Sequence, residues 1–345
     1  MDNHRRDFLK KSAIGLGAVG ALPATAASHA PSAFASSTRL PREVWIATLT
    51  QDGIEGNSVS EILDRAIAKM EFVLPQQPDI ICLPETFHLA KYRGKLSVPE
   101  VARQWEGPLT EAMSSFASQH SCYVIAPIHT LDNGKVYNAA VVFDRDGKRM
   151  GEYRKIRTTQ SEMGKGVSPG NPDPPVFKTD FGTIGIQICF DVEWMEGWRQ
   201  LAEKGAEIVF WPSAFGGGKM VNTMAWLNKY CVVSSTWKGT TKICDITGEE
   251  MAGSGSYNKW GVCAPVNLEK AFLHSWPYSQ QFPAIQAKYG RKVRIYTLHE
   301  EEFSIIESCS SEVKIADILK EFDLKTHKEH IQAATGKHEG YWNSL

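Results

Sequence analysis

Apolar and polar positions along this chain interleave two periods. Short runs with strand character stand at residues 44–50, 79–84, 122–129, 136–144 and 149–154. Between the first two, Ile62, Leu63, Ala66, Ile67, Met70 and Val73 recur at helical spacing, and residues 109–120 read as a second helix. The second half continues the theme. Residues 176–179 and 184–189 read as strands around a Phe181-Gly182 turn, 194–204 as a helix closed by Gly205, and 207–211 as a strand. A helix over 220–230 and strands at 231–235, 242–246 and 261–266 follow. Such alternation predicts layered α/β architecture. No repeat stands out at a fixed period. Residues 271–345 are more polar and hold one clear helix, 313–322; they read as a C-terminal extension suited to packing against a partner subunit.

The amino-terminal residues read differently. A charged start, His4-Arg5-Arg6-Asp7-Phe8-Leu9-Lys10, precedes a weakly apolar Gly/Ala stretch ending near Leu22, with small-residue cleavage options after Ala26, Ala30 or Ala35. This is the pattern of an export signal, and paired arginines before Phe-Leu-Lys match its twin-arginine type. The apolar run is short for a spanning helix. Residues 1–35 are therefore expected to direct export to the periplasm or beyond, with no stable membrane association after removal. A linker at 36–42 and a main domain over 43–270 follow.

Composition narrows the classes. Of 345 residues, 42% are hydrophobic, enough for a sizeable core. A formal net charge of −1 without charge blocks argues against nucleic acid as a partner. The seven cysteines are odd in number and form no CxxC pair, which disfavours both a disulfide framework and a zinc site. His327 and His330, three apart in the polar tail, lack an evident third ligand, so no metal and no cofactor are expected.

Four positions carry candidate chemistry. Gly185-Ile186-Gln187-Ile188-Cys189-Phe190-Asp191 runs an apolar strand out at a cysteine, where a turn can present the sulfur to a substrate. A thiolate attacks carbonyl or nitrile carbon and leaves well on hydrolysis, given a base or cation to activate it. The backbone N–H of Phe190 is placed to donate to an oxyanion. The plain alternative is a buried strand cysteine. Glu85 ends another apolar run, Ile80-Ile81-Cys82-Leu83-Pro84-Glu85; a partly desolvated carboxylate holds a proton more readily, which suits a general base. Lys155, in a basic loop, could stabilise the charge of a tetrahedral intermediate, and Glu162 could hold that lysine or position substrate.

In order and spacing, these segments resemble the carbon–nitrogen hydrolase (nitrilase) superfamily. Further matching segments are Gly205-Ala206-Glu207-Ile208-Val209-Phe210-Trp211-Pro212-Ser213-Ala214 and Asp245-Ile246-Thr247-Gly248-Glu249. The resemblance spans about residues 42–268. It implies a four-layer αββα sandwich, with Glu85 as general base, Lys155 as oxyanion stabiliser, Cys189 as nucleophile and Glu162 as an additional glutamate. It also implies pairing of subunits into at least a homodimer. Departures are Val192-Glu193-Trp194-Met195-Glu196, where the family often has Phe-Pro-Glu, and Leu227, where it usually has Glu. Phe190-Asp191 after the cysteine resembles amidase and carbamoyl-amide branches, whereas the Lys155-to-Glu162 loop resembles nitrilases. Amide hydrolysis is the favoured expectation. Nitrile hydrolysis, a silent binding protein on the same fold, and an acyltransferase are the alternatives. Trp194, Trp198, Trp211 and Trp226, with Ser213, are expected around the substrate pocket.

Overall fold

The computed structural model describes residues 39–345; the segment read as an export signal lies outside the described residues. In chain order the first half runs β1 (Glu43–Leu49), α1 (Val59–Glu71), β2 (Ile80–Cys82), α2 (Val98–His120), β3 (Tyr123–Asp132), β4 (Lys135–Phe143) and β5 (Arg149–Arg154). Then come α3 (Gln160–Gly164), β6 (Val176–Lys178), β7 (Thr183–Ile186), a 3-10 turn (Cys189–Glu193), α4 (Met195–Glu203), β8 (Ile208–Ser213), α5 (Lys219–Asn228), β9 (Cys231–Thr236), β10 (Lys242–Cys244), β11 (Glu250–Gly253) and β12 (Gly261–Asn267).

These strands form two six-stranded sheets, ordered β12-β1-β2-β3-β4-β5 and β6-β7-β8-β9-β10-β11. Both read antiparallel, parallel, parallel, antiparallel, antiparallel. The fold thus repeats a topology that leaves no period in the sequence. In this correspondence β2 matches β8, and the site forms where these two strands end.

Period-two alternation assigns the layers. In β1 and β2, Val44, Ile46, Ile80 and Cys82 face the second sheet, meeting Ile184, Ile186, Ile208, Phe210 and Val233. The opposite faces, with Ala47, Leu49 and Ile81 and with Val124 of β3, pack on α1 and α2 through Ile62, Ala66, Met70, Trp105, Leu109 and Met113. On the second sheet Val209, Trp211 and Val232 pack on Trp198, Leu201, Val221 and Met224 of α4 and α5. The result is the expected αββα stack. Its central strands are buried on both sides, which is why they read as unbroken apolar runs.

Three elements differ from the sequence reading. Helix α2 begins eleven residues earlier than expected, at Val98, because Ser97 and Glu100 form a capping box and Pro99 sits in the first turn; Pro108 is carried inside the helix. Strand β7 stops at Ile186, so Cys189 lies beyond the strand, at the head of the 3-10 turn. Residues 270–342 form more than one helix. β13 (Lys270–His274), α6 (Phe282–Tyr289), β14 (Val293–Leu298), β15 (Phe303–Ser308), α7 (Ile315–Glu321) and α8 (His327–Trp342) build a small antiparallel sheet, ordered β13-β15-β14, with its own helices. One face of that sheet, Phe272 and Ile305, joins the core between the large sheets. The other, Ala271, Leu273 and Ile306, packs on Ile285, Ile315 and Ile318. Among the described residues no helix is long and apolar enough to cross a membrane.

Candidate active site

Glu85 follows β2 across Pro84 and is 3% exposed. Its main-chain carbonyl accepts from the Trp237 indole N–H. Its Oε1 accepts from Lys155 Nζ at 2.9 Å and from Asn138 Nδ2 at 2.8 Å, and its Oε2 from the Ala214 amide at 2.8 Å. That amide stands just past β8, so the two corresponding strand ends meet at this carboxylate.

Lys155 leaves β5 and is 1% exposed. Its Nζ donates also to Glu162 Oε2 at 2.8 Å. Glu162 sits in the first turn of the short helix α3, where it completes a capping box: Thr159 N–H donates to its Oε2 at 2.8 Å and Thr159 Oγ1 accepts from its amide. Helix capping therefore aims Glu162 at the lysine. Asn138, on β4, spans both carboxylates, its Nδ2 donating to Glu85 and to Glu162 Oε1 at 2.8 Å each.

Cys189 opens the 3-10 turn with φ +49°, a left-handed conformation uncommon for a residue bearing a Cβ. Trp211 holds this turn by donating its indole N–H to the Cys189 carbonyl at 3.0 Å. Asp191 ties the turn to the lysine loop: its carboxylate accepts from Tyr153 Oη at 2.7 Å, from the Arg157 amide at 2.7 Å and from the Ile188 amide at 2.9 Å.

Glu85, Lys155, Glu162 and Cys189 line one cavity of about 610 Å³. Burial pushes the Cys189 thiol up to about 12, and Glu85 adds to the shift while Lys155 opposes it. The resting sulfur is thus a protonated thiol. Burial works against the Lys155 charge, but the Glu85 and Glu162 carboxylates outweigh it and hold the ammonium above its ordinary value. For Glu162, burial disfavours ionisation, and the Lys155 ammonium overcomes it, holding the carboxyl below its ordinary range.

The expected pocket residues fare differently. Trp211 is fully buried but faces α4 and α5, because strand alternation turns it away from the side that Phe210 shares with the first sheet. It supports the Cys189 turn from behind. Ser213 is fully buried, its Oγ accepting from the Phe215 amide at 3.1 Å. Phe190 is half-buried against Trp194, ring centroids 5.0 Å apart; its amide lies in the first turn, where helical N–H groups lack intrahelical partners. Trp194 lines a separate cavity of about 240 Å³ with Arg157, Gln187 and Asp191. Trp198 belongs to the outer layer, and Trp226 packs on Phe272 and Phe303. The tryptophan that does line the large cavity is Trp237. Sequence reasoning missed it, together with Asn138, His129 and Lys165. For Asn138 a signal existed, a lone amide inside the apolar run of β4.

The Gly216-Gly217-Gly218 segment is a tight fit. Gly217 has φ +67°, and a Cβ there would fall 2.7 Å from Trp211.

A family model described as carbon-nitrogen hydrolase matches residues 47–232, over half of the chain. The chain belongs to the carbon–nitrogen hydrolase family. The matched span holds Glu85, Lys155, Glu162 and Cys189, and the three-stranded sheet lies beyond it. The omega-amidase NIT2 of Xenopus tropicalis is 32% identical over 168 residues, covering 45% of this chain and 59% of that protein. The chain thus matches less than two thirds of that relative's length. Among solved structures, Saccharomyces cerevisiae Nit3, of branch 10 of the nitrilase superfamily, aligns with a TM-score of 0.56 at 20% identity, over 73% of this chain and 96% of that one. An amidase from Nesterenkonia sp. AN1, with acrylamide added to its active-site cysteine, aligns with a TM-score of 0.55 at 16% identity, over 65% and 92%. At these identities the structures carry the fold alone. The sandwich is of the nitrilase type.

Proposed function

We propose that this carbon–nitrogen hydrolase cleaves a small non-peptide amide by acyl transfer through Cys189. The observation that carries the reading is the direct Lys155–Glu85 contact, 2.9 Å, in the wall of the cavity that also holds Cys189. A thiol held near 12 needs its proton removed as it attacks, and Glu85 is the base that takes it. Cys189 Sγ bonds to the amide carbon while the carbonyl π pair moves to oxygen. The Lys155 ammonium and the Phe190 N–H stabilise that oxyanion. Glu85 hands its proton to the nitrogen, the C–N bond breaks, and ammonia or an amine leaves a thioester. Water, deprotonated by Glu85, then attacks the thioester, and the acid departs as Sγ recovers the proton. Glu162 holds Lys155 charged and in place throughout. The sequence relatives named omega-amidase favour an amide over a nitrile.

Cys189→Ala should abolish ammonia release from amides while leaving the thermal transition close to that of the parent protein, since one small buried side chain changes. Full residual activity in this variant would sink the mechanism. Running nitriles beside amides in the same screen separates the two substrate classes.

A further inference from the structure

Two histidines that the mechanism does not use stand at the same cavity. His129, on β3, lines it; His88, in the segment after Glu85, is fully buried behind it. His129 Nδ1 lies 3.3 Å from His88 Nε2, and the His129 amide N–H points at that same nitrogen at 3.5 Å.

The sheet explains the contact and favours one placement of the protons. His129 is paired opposite Asn138. The Asn138 carbonyl accepts from the Lys155 amide at 2.8 Å, so the Asn138 backbone polar groups point toward β5, away from β3. His129 and Asn138 are thus a non-hydrogen-bonded antiparallel pair, and the His129 N–H faces the other side of β3. On that side β2 has already ended, with Cys82 opposite Ile125. The His88 ring fills the gap and receives the orphaned N–H. A backbone N–H only donates, so His88 Nε2 is an acceptor. The His129 Nδ1 that meets the same nitrogen is then the donor, and the His88 proton sits on Nδ1, buried without a partner. One proton per neutral ring leaves His129 Nε2 bare, and among the described residues it has no hydrogen-bond partner. Burial keeps both rings neutral, His129 down at about 4 and His88 well below the ordinary histidine value.

The carboxylates of the cavity offer little in its place. Glu85 accepts from Lys155, Asn138 and Ala214, and Glu162 from Asn138, Lys155 and Thr159. Lys155 and Lys165 supply donors only, and Asn138 Oδ1, which also has no partner, is buried. We propose that His129 is a specificity-determining residue whose Nε2 accepts a hydrogen bond from a hydroxyl or amine N–H on the acyl portion of the substrate, in a tautomer set by His88. The acyl portion is meant because the leaving nitrogen must stay within reach of Glu85. The proposal rests on the amidase reading for the word acyl; the tautomer does not.

The experiment has two arms. In the first, straight-chain amides of three to six carbons are compared with and without an ω-hydroxyl or ω-amino group. At one chain length the protein should prefer the donor-bearing member, and His129→Leu should lower that preference ratio about tenfold, the worth of one neutral hydrogen bond. His129→Gln, which keeps an acceptor, should restore part of it. Equal losses on both members, or no preference at any length, overturn the proposal. In the second arm, imidazole ¹⁵N shifts are read in the Cys189→Ala protein at neutral pH. Protonated Nδ1 and bare Nε2 at His129 are expected, and a protonated Nε2 overturns the proposal. Should the protein hydrolyse no amide, the functional reading falls, and this second arm still decides the tautomer.

Discussion

Asn138 shows how much one side chain can hold. Its single Nδ2 reaches both Glu85 and Glu162, each at 2.8 Å, and no charge of its own enters the cluster. Two carboxylates flanking one ammonium repel each other, and the amide gives each a third donor. Asn138→Leu keeps the volume and removes both donors. Each carboxylate then loses a buried hydrogen bond, a cost of about 1.5–3 kcal/mol per bond in stability by the usual worth of bonds to charged groups. Turnover should fall at least tenfold as Glu85 loses its fixed orientation. Calorimetry and an ammonia assay check the two effects, and an unchanged rate would remove Asn138 from the machinery. The residue was hard to find in sequence. An asparagine inside an apolar strand signals a polar partner, but which partner is decided across 53 residues by the fold.

At the scale of elements, the proposed catalytic groups sit just past strand ends or in the first turn of a short helix, and the elements only aim them. Glu85 follows β2, Lys155 follows β5, Glu162 caps α3 and Cys189 opens a 3-10 turn. What keeps two of those connections in register is Asp191, whose carboxylate collects Tyr153, Arg157 and Ile188. Asp191→Asn replaces one acceptor oxygen by a donor that faces donors. The expected result is a loss of about 3 kcal/mol, the upper end for a bond to a buried charge, and a tenfold or greater drop in kcat/KM as the lysine loop and nucleophile turn uncouple. A variant as stable and active as the parent would refute that linkage. Element existence was largely readable from periodicity. Element ends were not, because they rest on capping and on tertiary partners. Helix α2 gained its first turns from a Ser97–Glu100 box, and the apparent strand ending at Cys189 was cut short where Gln187 and Ile188 leave the sheet.

For the whole molecule, buried titrating groups set the response to acid. An unfolded chain protonates its histidines near 6.5, whereas burial holds His129 at about 4 and His88 well below its ordinary value. Between those values the unfolded state binds protons that the folded state refuses, so stability falls as pH drops. For His129 this window is worth about 3 kcal/mol at ~1.4 kcal/mol per pH unit. Asp191 acts with the opposite sign. Burial raises it from 3.8 to about 6, so the folded state takes up a proton first and gains stability as pH falls through that interval. That gain, also about 3 kcal/mol, offsets His129, and His88 tips the balance. The melting temperature should therefore decline from pH 7 to pH 4.5. A rise over that range, followed by calorimetry, would contradict the neutral buried pair.

By itself the sequence determined the alternation that builds four layers, and it marked the thiol, the ammonium and the two carboxylates. The layers need only local periodicity, and the four site residues stand out by residue chemistry together with the motif order in which they resemble the carbon–nitrogen hydrolase family; a chain carries both without folding. The tertiary structure alone decided which aromatic reaches the cavity, Trp237 in place of Trp194 or Trp211, and which amide binds the carboxylates. It also decided which imidazole is left with a bare nitrogen. Each of these depends on where a strand ends relative to its neighbour and on which face a side chain then takes. A register between distant segments fixes that face, and no single segment records it.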